Sequence, residues 1–497
     1  MSLNLEFNKL SVSSANVLTN NNNVECKVPL TEEEGKNILN VDVITYLLSA
    51  ECGDKEVRYS GRAVFTILYK SEGVIKKCES GVEYSYKFPC EMVNSGMKIL
   101  GEVCIETPSI NYLNGIVSLS SVITFKGEHS LLNEVNYFEK DKNLFTKRCE
   151  VEYTKELSLF EKDCKIEEEF DSDELVSNVL IHQEKVCVSG VACTVGSVIV
   201  DGEVEVCILI QAINKNNPIT IVKKIPFRQE VEVDDVIPNN LASVCARVKG
   251  SSLKIYVDEN KNKSSISLEI SLTFFGKLFD TCTFAPCIDA YSLQREVKLD
   301  FESVKLNKIN GFKSFDFHID SELSTKNDEN SRLICLLSDK IEEIEYKNSE
   351  ISGAVSFEIL YGGEEFSTQK VLVPISFALP LNGNGVTFLN TTVTDCSINN
   401  YDGKSILSFK VKVSYLDKED FVVKVVSNLE EGAEKVVNDS AISVYIPKQG
   451  DCLWEVSKVL GVSEEEILTI NKDLTFPLNG DERIVVYREV DIQKNQG

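Results

Sequence analysis

The sequence predicts a mainly β protein, in which three tandem antiparallel β domains precede a small α+β domain of βααβ order. Two observations indicate this fold class. One apolar strand pattern occurs three times along the chain, whereas helical periodicity is scarce before residue 450 and then occurs twice. The chain of 497 residues is also long enough for several cores, because a single core usually stops growing at about 250–300 residues.

The first element of the repeat is an apolar strand that begins at a glycine. Its copies are Gly61–Tyr69, Gly202–Ile210 and Gly353–Tyr361. A polar turn and a return strand follow each copy, which is typical of a hairpin. Each return strand reaches a proline, which is tolerated at a strand margin because no ladder donor is needed there. These prolines are Pro89, Pro226 and Pro374.

The second element is apolar at every second position, apart from one serine, so its apolar side chains lie on one face of a strand. Its copies are Val117–Phe125, Ile266–Phe274 and Leu407–Tyr415. Two spaced elements that match in three copies predict one antiparallel β domain per copy, either a sandwich or a partly open barrel. The predicted domains cover residues 1–148, 149–295 and 296–427.

The remaining chain is predicted to contain a solvated linker over residues 428–441, a small domain over residues 442–489 and a disordered tail over residues 490–497. The small domain begins and ends with a short strand. Between the strands, Cys452–Leu460 has apolar residues at helical spacing, and Gly461 is typical of a helix end. Ser463, followed three residues later by a glutamate, predicts a capping box for a second helix.

These motifs resemble two known domain types. The repeat resembles the SPOCS (DUF3794) domain of spore-coat-associated proteins, and Asp289–Ser292 resembles the ending of one copy in that family. Residues 443–488 resemble a LysM domain, although Cys452 replaces the common threonine or serine. The positions that match the LysM pattern are Tyr445, Gly450, Asp451, Leu453, Trp454, Val456, Val462, Ile467, Asn471, Leu478, Gly480 and Ile484.

Together these domains resemble the SipL-type spore coat morphogenetic proteins of clostridia. In that family the LysM domain binds stage IV sporulation protein A, the ATPase that coats the forespore from the mother-cell side. The resemblance implies a non-enzymatic scaffold in the mother-cell cytoplasm, at the outer forespore surface, whose repeats self-associate or recruit other coat proteins. The alternative is a protein that binds peptidoglycan or other N-acetylglucosamine chains of the cortex or cell wall.

The candidate partner-binding residues lie at the start of the small domain. Ile442, Val444 and Ile446 share one strand face, and Trp454 is the only tryptophan of the chain. An aromatic anchor of this kind can dominate an interface, although it fills a small core equally well. For glycan binding, the resemblance implies a groove between the first turn and the loop after the second helix. The groove residues would be Gly450, Asp451, Cys452, Leu453, Asn471, Lys472, Leu474 and Thr475.

Composition argues against other functions. The net charge of −26 opposes nucleic acid and anionic lipid. The N-terminus lacks the pattern of a secretory signal, and no apolar stretch approaches the ~20 residues that span a bilayer, so we expect a cytosolic chain.

Its 16 cysteines include no CxxC pair, and its 3 histidines are scattered. Gly362–Phe366 spells the GGEEF motif of diguanylate cyclases but lacks the α/β surroundings of one. We therefore predict no enzyme activity, no cofactor and no metal site.

Overall fold

The computed structural model describes residues 5–213, 215, 217–258, 263–323, 332–362, 366–401, 404–435 and 441–487. Strands make up most of these residues, and they form several antiparallel sheets. The predicted mainly β fold class is therefore confirmed. Among the described residues, no helix has both the length and the apolar character needed to cross a membrane.

The first pair of sheets contains six long or medium strands, one short strand and one helical turn. These elements are β1 (Glu6–Pro29), α1 (Glu32–Lys36), β2 (Ile38–Cys52), β3 (Glu56–Ser71), β4 (Val74–Pro89), β5 (Leu100–Ile105), β6 (Ser109–Leu113) and β7 (Ile116–Lys140). One sheet has the order β2-β3-β4. The other has the order β1-β7-β5, and β6 also pairs with β7.

The second pair of sheets follows the same plan. Its elements are β8 (Phe145–Arg148), β9 (Val151–Ser172), β10 (Val176–Cys193), β11 (Ser197–Ala212), β12 (Ile219–Glu232), β13 (Leu241–Asp258), β14 (Lys263–Phe284) and β15 (Cys287–Tyr291). The two sheets have the orders β10-β11-β12 and β13-β14-β9. The short strands β8 and β15 pair with each other and form a small separate sheet.

The third pair of sheets and a small C-terminal module complete the chain. The sheet strands are β16 (Arg295–Leu323), β17 (Arg332–Lys347), β18 (Glu350–Gly362), β19 (Ser367–Ala378), β20 (Gly385–Tyr401) and β21 (Lys404–Glu434). Their sheets have the orders β17-β18-β19 and β16-β21-β20. The module contains β22 (Ile442–Tyr445), α2 (Leu453–Leu460), α3 (Glu464–Ile470) and β23 (Ile484–Tyr487).

Both repeated sequence elements form the middle strands of these sheets. The first element lies in β3, β11 and β18, and the second lies in β7, β14 and β21. The period-two apolar rows of the second element are buried, and Phe125, Phe274 and Phe409 are each 0% exposed. Each row packs against the middle strand of the facing sheet and forms one apolar core per sheet pair. The predicted single buried face is confirmed.

The repeated glycine lies where the neighbouring strand places a large side chain. Gly61 pairs with Tyr84, and Gly202 pairs with Phe227. A Cβ added at Gly202 would lie 2.3 Å from the carbonyl oxygen of Cys187 and 2.4 Å from the Phe227 ring. In these two copies the glycine is needed because the backbone and an aromatic ring approach each other closely, whereas Gly353 of the third copy pairs with Ile375.

The return strands differ from the prediction at two of the three prolines. Pro226 lies inside β12, and Pro374 lies inside β19. Both strands are at the edge of their sheets. Proline is tolerated inside an edge strand because its missing N–H can face away from the ladder.

The predicted linker is wrong for residues 428–434, which form the end of β21 and pair with β16. The acidic residues of this segment have basic partners across the ladder. Arg295 lies 3.5 Å from the Glu431 carboxylate, and Lys298 lies 3.2 Å from that of Glu430. Residues 436–440 of the predicted linker, the predicted tail over 490–497, and residues 363–365 of the GGEEF motif lie outside the described residues.

The three sheet pairs meet at one apolar junction. Its centre contains Leu68, Leu209 and Leu360, which occupy the same place in the three copies of the repeated strand and are at most 3% exposed. Residues from β4, β10 and β17 complete this cluster, namely Ile75, Leu180, Ile181, Cys335 and Leu337. The junction therefore buries the corresponding ends of the three middle strands β3, β11 and β18 in one apolar cluster.

The close approach at the repeated glycine predicts that Gly202→Ala destabilises the protein. We expect a cost of about 1–3 kcal/mol, because the added methyl group overpacks the contact with Cys187 and Phe227. Gly250→Ala is a matched control in a strand, since a Cβ there meets nothing within 4 Å. Urea unfolding followed by circular dichroism measures both midpoints. Equal midpoints for the two variants would contradict this account of the repeat.

Candidate functional site

The C-terminal module has the predicted order of strand, helix, helix and strand. Its strands β22 and β23 pair antiparallel, with Tyr445 opposite Ile484. The first helix is capped although Cys452 has no hydroxyl, because the Cys452 N–H donates to the Glu455 carboxylate at 3.0 Å. The helix ends at Gly461, whose φ of 64° is the left-handed conformation that glycine favours.

An aliphatic cluster forms the core of the module. It contains Val456, Val462, Ile467, Leu478, Ile484 and Val486, each at most 5% exposed. Tyr445, Leu453 and Leu474 pack against it from the side. Trp454 is not a member of this cluster. The module therefore builds its core without its tryptophan, and the alternative that Trp454 is simply core is not what the structure shows.

A row of apolar side chains lies on the outer face of the two-stranded sheet of β22 and β23 and just beyond it. Ile442 and Val444 alternate along β22 and are each 57% exposed, and Ile446, one residue past the end of β22, is 64% exposed. Tyr487, which pairs with Ile442 across this sheet, is also 57% exposed. We call these four residues the apolar row. The alternation of the strand turns Ser443 and Tyr445 to the opposite face.

Trp454 faces the second sheet pair of the same chain. It is only 8% exposed, and its indole Nε1 donates a hydrogen bond to Asp289 Oδ2 at 2.7 Å. Its ring packs edge-to-face on Tyr291, with the ring centroids 5.0 Å apart. The Trp454 side chain thus holds the module against its own chain, and its role in binding a partner protein stays a prediction.

Two further contacts complete this attachment. The Tyr291 hydroxyl donates to the Val462 carbonyl at 2.9 Å, and Lys458 Nζ lies 2.6 Å from Asp289 Oδ1. Burial raises the pKa of Tyr291 to about 12, so its hydroxyl keeps the donated proton at neutral pH. We call Asp289, Tyr291, Trp454 and Lys458 the module dock.

The module dock is supported by the small sheet of β8 and β15. Asp289 and Tyr291 lie on β15, and the Tyr291 ring stacks on Phe145 of β8 at 5.1 Å. This sheet joins residues on both sides of the predicted domain boundary at residue 148. The sequence marked Asp289–Ser292 only as the ending of a repeat, and no local pattern connected it to Trp454.

Two of the predicted groove side chains have structural hydrogen bonds inside the module. Asp451 Oδ2 accepts from the Tyr445 hydroxyl at 2.9 Å and from the Lys448 N–H at 2.8 Å. The Asn471 side-chain amide donates to the Val485 carbonyl and accepts from the Val485 N–H, each at 2.9 Å. Asp451 therefore holds the first turn, and Asn471 attaches the end of α3 to β23.

The other predicted groove residues lie in two segments of the module, residues 450–453 and 472–475. The Gly450 N–H donates to the Leu478 carbonyl at 2.8 Å, which fixes the first turn. Leu453 and Leu474 pack against the same core, so the structure brings the two segments against one cluster. Cys452 is half-buried, whereas Lys472 and Thr475 are exposed.

No match to this chain is found among models of known protein families, among curated proteins or among solved structures. No family is therefore assigned, and the resemblance to SPOCS and LysM domains stays a prediction from the residues that carry it. The apolar row and the module dock are independent of that resemblance, because they are defined by contacts and exposure.

The module dock predicts that Asp289→Ala exposes Trp454 to water. The substitution removes the acceptor of the indole N–H and the partner of Lys458. Because Trp454 is the only tryptophan of the chain, its fluorescence reports on the dock alone. We expect emission at longer wavelength and stronger quenching by acrylamide.

Asp481→Ala is the matched control for this measurement, because Asp481 is an exposed aspartate on the last loop of the same module. We expect its spectrum to equal that of the unmodified protein. If Asp289→Ala also left the emission maximum and the quenching unchanged, the indole–carboxylate contact would not be holding the module.

Proposed function

We propose that this chain is a non-enzymatic scaffold for spore coat assembly, which binds stage IV sporulation protein A through its LysM-type C-terminal module. In this proposal the three sheet pairs are three SPOCS domains in tandem, and they self-associate or recruit other coat proteins at the outer forespore surface of the mother-cell cytoplasm. The observation that supports it most directly is the apolar row on the outer face of the module.

The apolar row has the properties of a protein-binding surface. Four large apolar side chains on or next to the small sheet of β22 and β23 are each more than half exposed. Contiguous exposed apolar surface of this kind marks interaction sites in soluble proteins. Covering one such side chain completely contributes about 1.5–3 kcal/mol, so the row can supply a large part of a binding free energy.

The module dock supports the same proposal because it fixes where the apolar row points. Trp454 and Lys458 both bind the one carboxylate of Asp289. A surface that is already held in place loses less conformational entropy when a partner binds, so its binding free energy is more favourable. The scaffold thus presents the row in one orientation.

The contacts of the predicted groove give less support to glycan binding. A sugar chain is held by side-chain hydrogen bonds, and the carboxylate of Asp451 and the amide of Asn471 already have partners inside the module. Lys472 and Thr475 are the exposed polar residues that remain in the predicted set. The protein-binding alternative is therefore the one that we propose.

Val444→Asp is the variant that tests the proposal. It places a charge in the middle of the apolar row, and we expect at least a tenfold loss of capture by immobilised stage IV sporulation protein A, since central interface residues dominate binding. Val422→Asp is the matched control, because Val422 is also a strand valine and is 61% exposed on β21. We expect this control to be captured as well as the unmodified chain.

The same proteins are also mixed with insoluble peptidoglycan and centrifuged. We expect them to stay in the supernatant while the unmodified chain is captured by the ATPase. Pelleting with peptidoglycan together with failure to bind the ATPase would favour the glycan-binding alternative. Capture of a folded Val444→Asp variant at full strength would show that the apolar row is not the binding surface.

A further inference from the structure

The two-stranded sheet of the C-terminal module has one edge that is already occupied. The Asn471 side chain donates to the Val485 carbonyl and accepts from the Val485 N–H, each at 2.9 Å. These are the main-chain groups that β23 directs away from β22. Because a side chain already bonds to them, β23 cannot use these groups to pair with another strand.

The opposite edge of this sheet is open. Val444 on β22 lies directly across from Val485. In an antiparallel pair, successive residues direct their main-chain groups alternately towards and away from the neighbouring strand, and directly opposed residues match. Since the Val485 groups point away from β22, those of Val444 point away from β23, and the alternation gives Ile442 the same direction. Within the described part of the chain, these groups have no hydrogen-bond partner. We call the main-chain groups of Ile442 and Val444 the free edge.

The free edge and the apolar row belong to the same residues. The side chains of Ile442 and Val444 lie on the outer face of the sheet, and both residues are 57% exposed. A peptide that adds a strand to a sheet gains affinity from main-chain hydrogen bonds and specificity from alternate side chains on one face. One added strand would therefore bond to the free edge and cover the apolar row together.

The strand β22 lacks the features that protect edge strands elsewhere in this chain. The edge strands β12 and β19 contain Pro226 and Pro374, and the edge strand β9 contains the charged run Glu167–Glu169. Prolines and charges are common means of preventing unwanted pairing at a sheet edge. The four residues of β22 are Ile-Ser-Val-Tyr and include neither, so nothing in this strand opposes the addition of another strand.

The size of the surface indicates what kind of partner it fits. It consists of four exposed side chains and one short strand edge. A standard interface between two folded proteins covers about 800 Å² on each partner, which is more than such a surface offers. A single extended segment matches it better than the folded surface of a second copy of this chain.

The charges beside the row add a second requirement for the partner. Arg483 lies next to Ile446, because Ile484 pairs with Tyr445, and Lys448 follows two residues after Ile446. Both cations are exposed, and in the described ranges neither forms an ion pair. The Arg483 guanidinium donates to two main-chain carbonyls instead. In a chain with a net charge of −26, this end of the row is a place where a carboxylate is attracted.

We infer that the partner protein binds by adding one extended segment to the free edge as an antiparallel third strand of the module sheet. The segment alternates apolar residues, which cover the apolar row. It carries a carboxylate at its N-terminal end, because antiparallel pairing places that end beside Arg483 and Lys448. The inference rests on the proposed function, since it describes how the same surface receives its partner.

Val444→Pro tests the main-chain contact. The substitution removes an N–H of the free edge and keeps the N–H groups of Ser443 and Tyr445, which face β23. Proline is tolerated in an edge strand where its missing N–H faces away from the ladder. We expect capture by immobilised stage IV sporulation protein A to weaken about tenfold, because one main-chain bond is lost and the ring hinders the approach of a strand. Unchanged emission of Trp454 checks that the module stays folded.

Val222→Pro is the matched control. Val222 is a 49% exposed valine of the edge strand β12, and it has the same position in the strand alternation as Pro226. We expect this variant to be captured as well as the unmodified chain. Full capture of folded Val444→Pro, together with loss of capture for Val444→Asp, would overturn the inference and leave the proposed function standing.

A peptide titration tests the inference without any variant and without the ATPase. The probe is a fluorescein-labelled peptide of two glutamates followed by alternating valines and threonines, and fluorescence anisotropy measures its binding to the full chain. Opposed residues of an antiparallel pair lie on the same face. Valines that cover the apolar row therefore direct their N–H groups to the free edge, whereas the threonine N–H groups point away from it.

Two methylated forms of the peptide separate these groups. We expect N-methylation of the valines to weaken binding about tenfold, and the same number of N-methyl groups on the threonines to leave it unchanged. Equal affinities of the two methylated peptides, or no saturable binding of the unmethylated one, would overturn the inference. If the unmodified chain failed to bind the ATPase, the proposed function would fall, and this titration would still decide whether the edge accepts a strand.

A third peptide tests the carboxylate end. Glutamines replace its two glutamates, and we expect several-fold weaker binding at low ionic strength, because the attraction to Arg483 and Lys448 is lost. An affinity equal to that of the glutamate peptide would contradict the expected position of the carboxylate.

Discussion

The burial of Leu68, Leu209 and Leu360 against one another determines how the rest of the chain is arranged. Each leucine lies on the middle strand of a three-stranded sheet and is nearly inaccessible to water. Removing apolar surface of this size from water contributes about 1.5–3 kcal/mol for each side chain. The three sheets meet at this point, and residues of β2, β10 and β17 next to it line a cavity of about 540 Å³.

The C-terminal module is held by a different kind of contact. Its own core is aliphatic, but it is attached to β15 by directional contacts: the Asp289 carboxylate receives an indole N–H and a lysine, and the Tyr291 hydroxyl donates to the Val462 carbonyl. Directional bonds of this kind select one orientation, whereas apolar packing of similar size tolerates several. Apolar packing therefore joins the three sheet pairs to one another, whereas hydrogen bonds orient the C-terminal module.

Local patterns in the sequence predicted the local structure well. Period-two apolar rows such as Leu407–Tyr415 predicted the buried middle strands. The apolar alternation along Ile442–Ile446 predicted the exposed apolar row. Long-range contacts left no such pattern, since Trp454 and Asp289 are 165 positions apart. The end of the middle strand β21 was mistaken for a linker because its charged residues, such as Glu430, resemble a solvated tether until the ladder pairs them with partners such as Lys298.

The cavity walls carry unlike residues at positions that correspond in the repeated strands. Asp42, Gln183 and Ser338 occupy the same place relative to the repeated glycine, opposite the same position of the neighbouring strand. A homotrimer of identical subunits would have to put one side chain there three times, and three facing aspartates would repel one another. Covalent fusion removes that restriction, because an acid, an amide and a hydroxyl can each be selected separately within a single polypeptide.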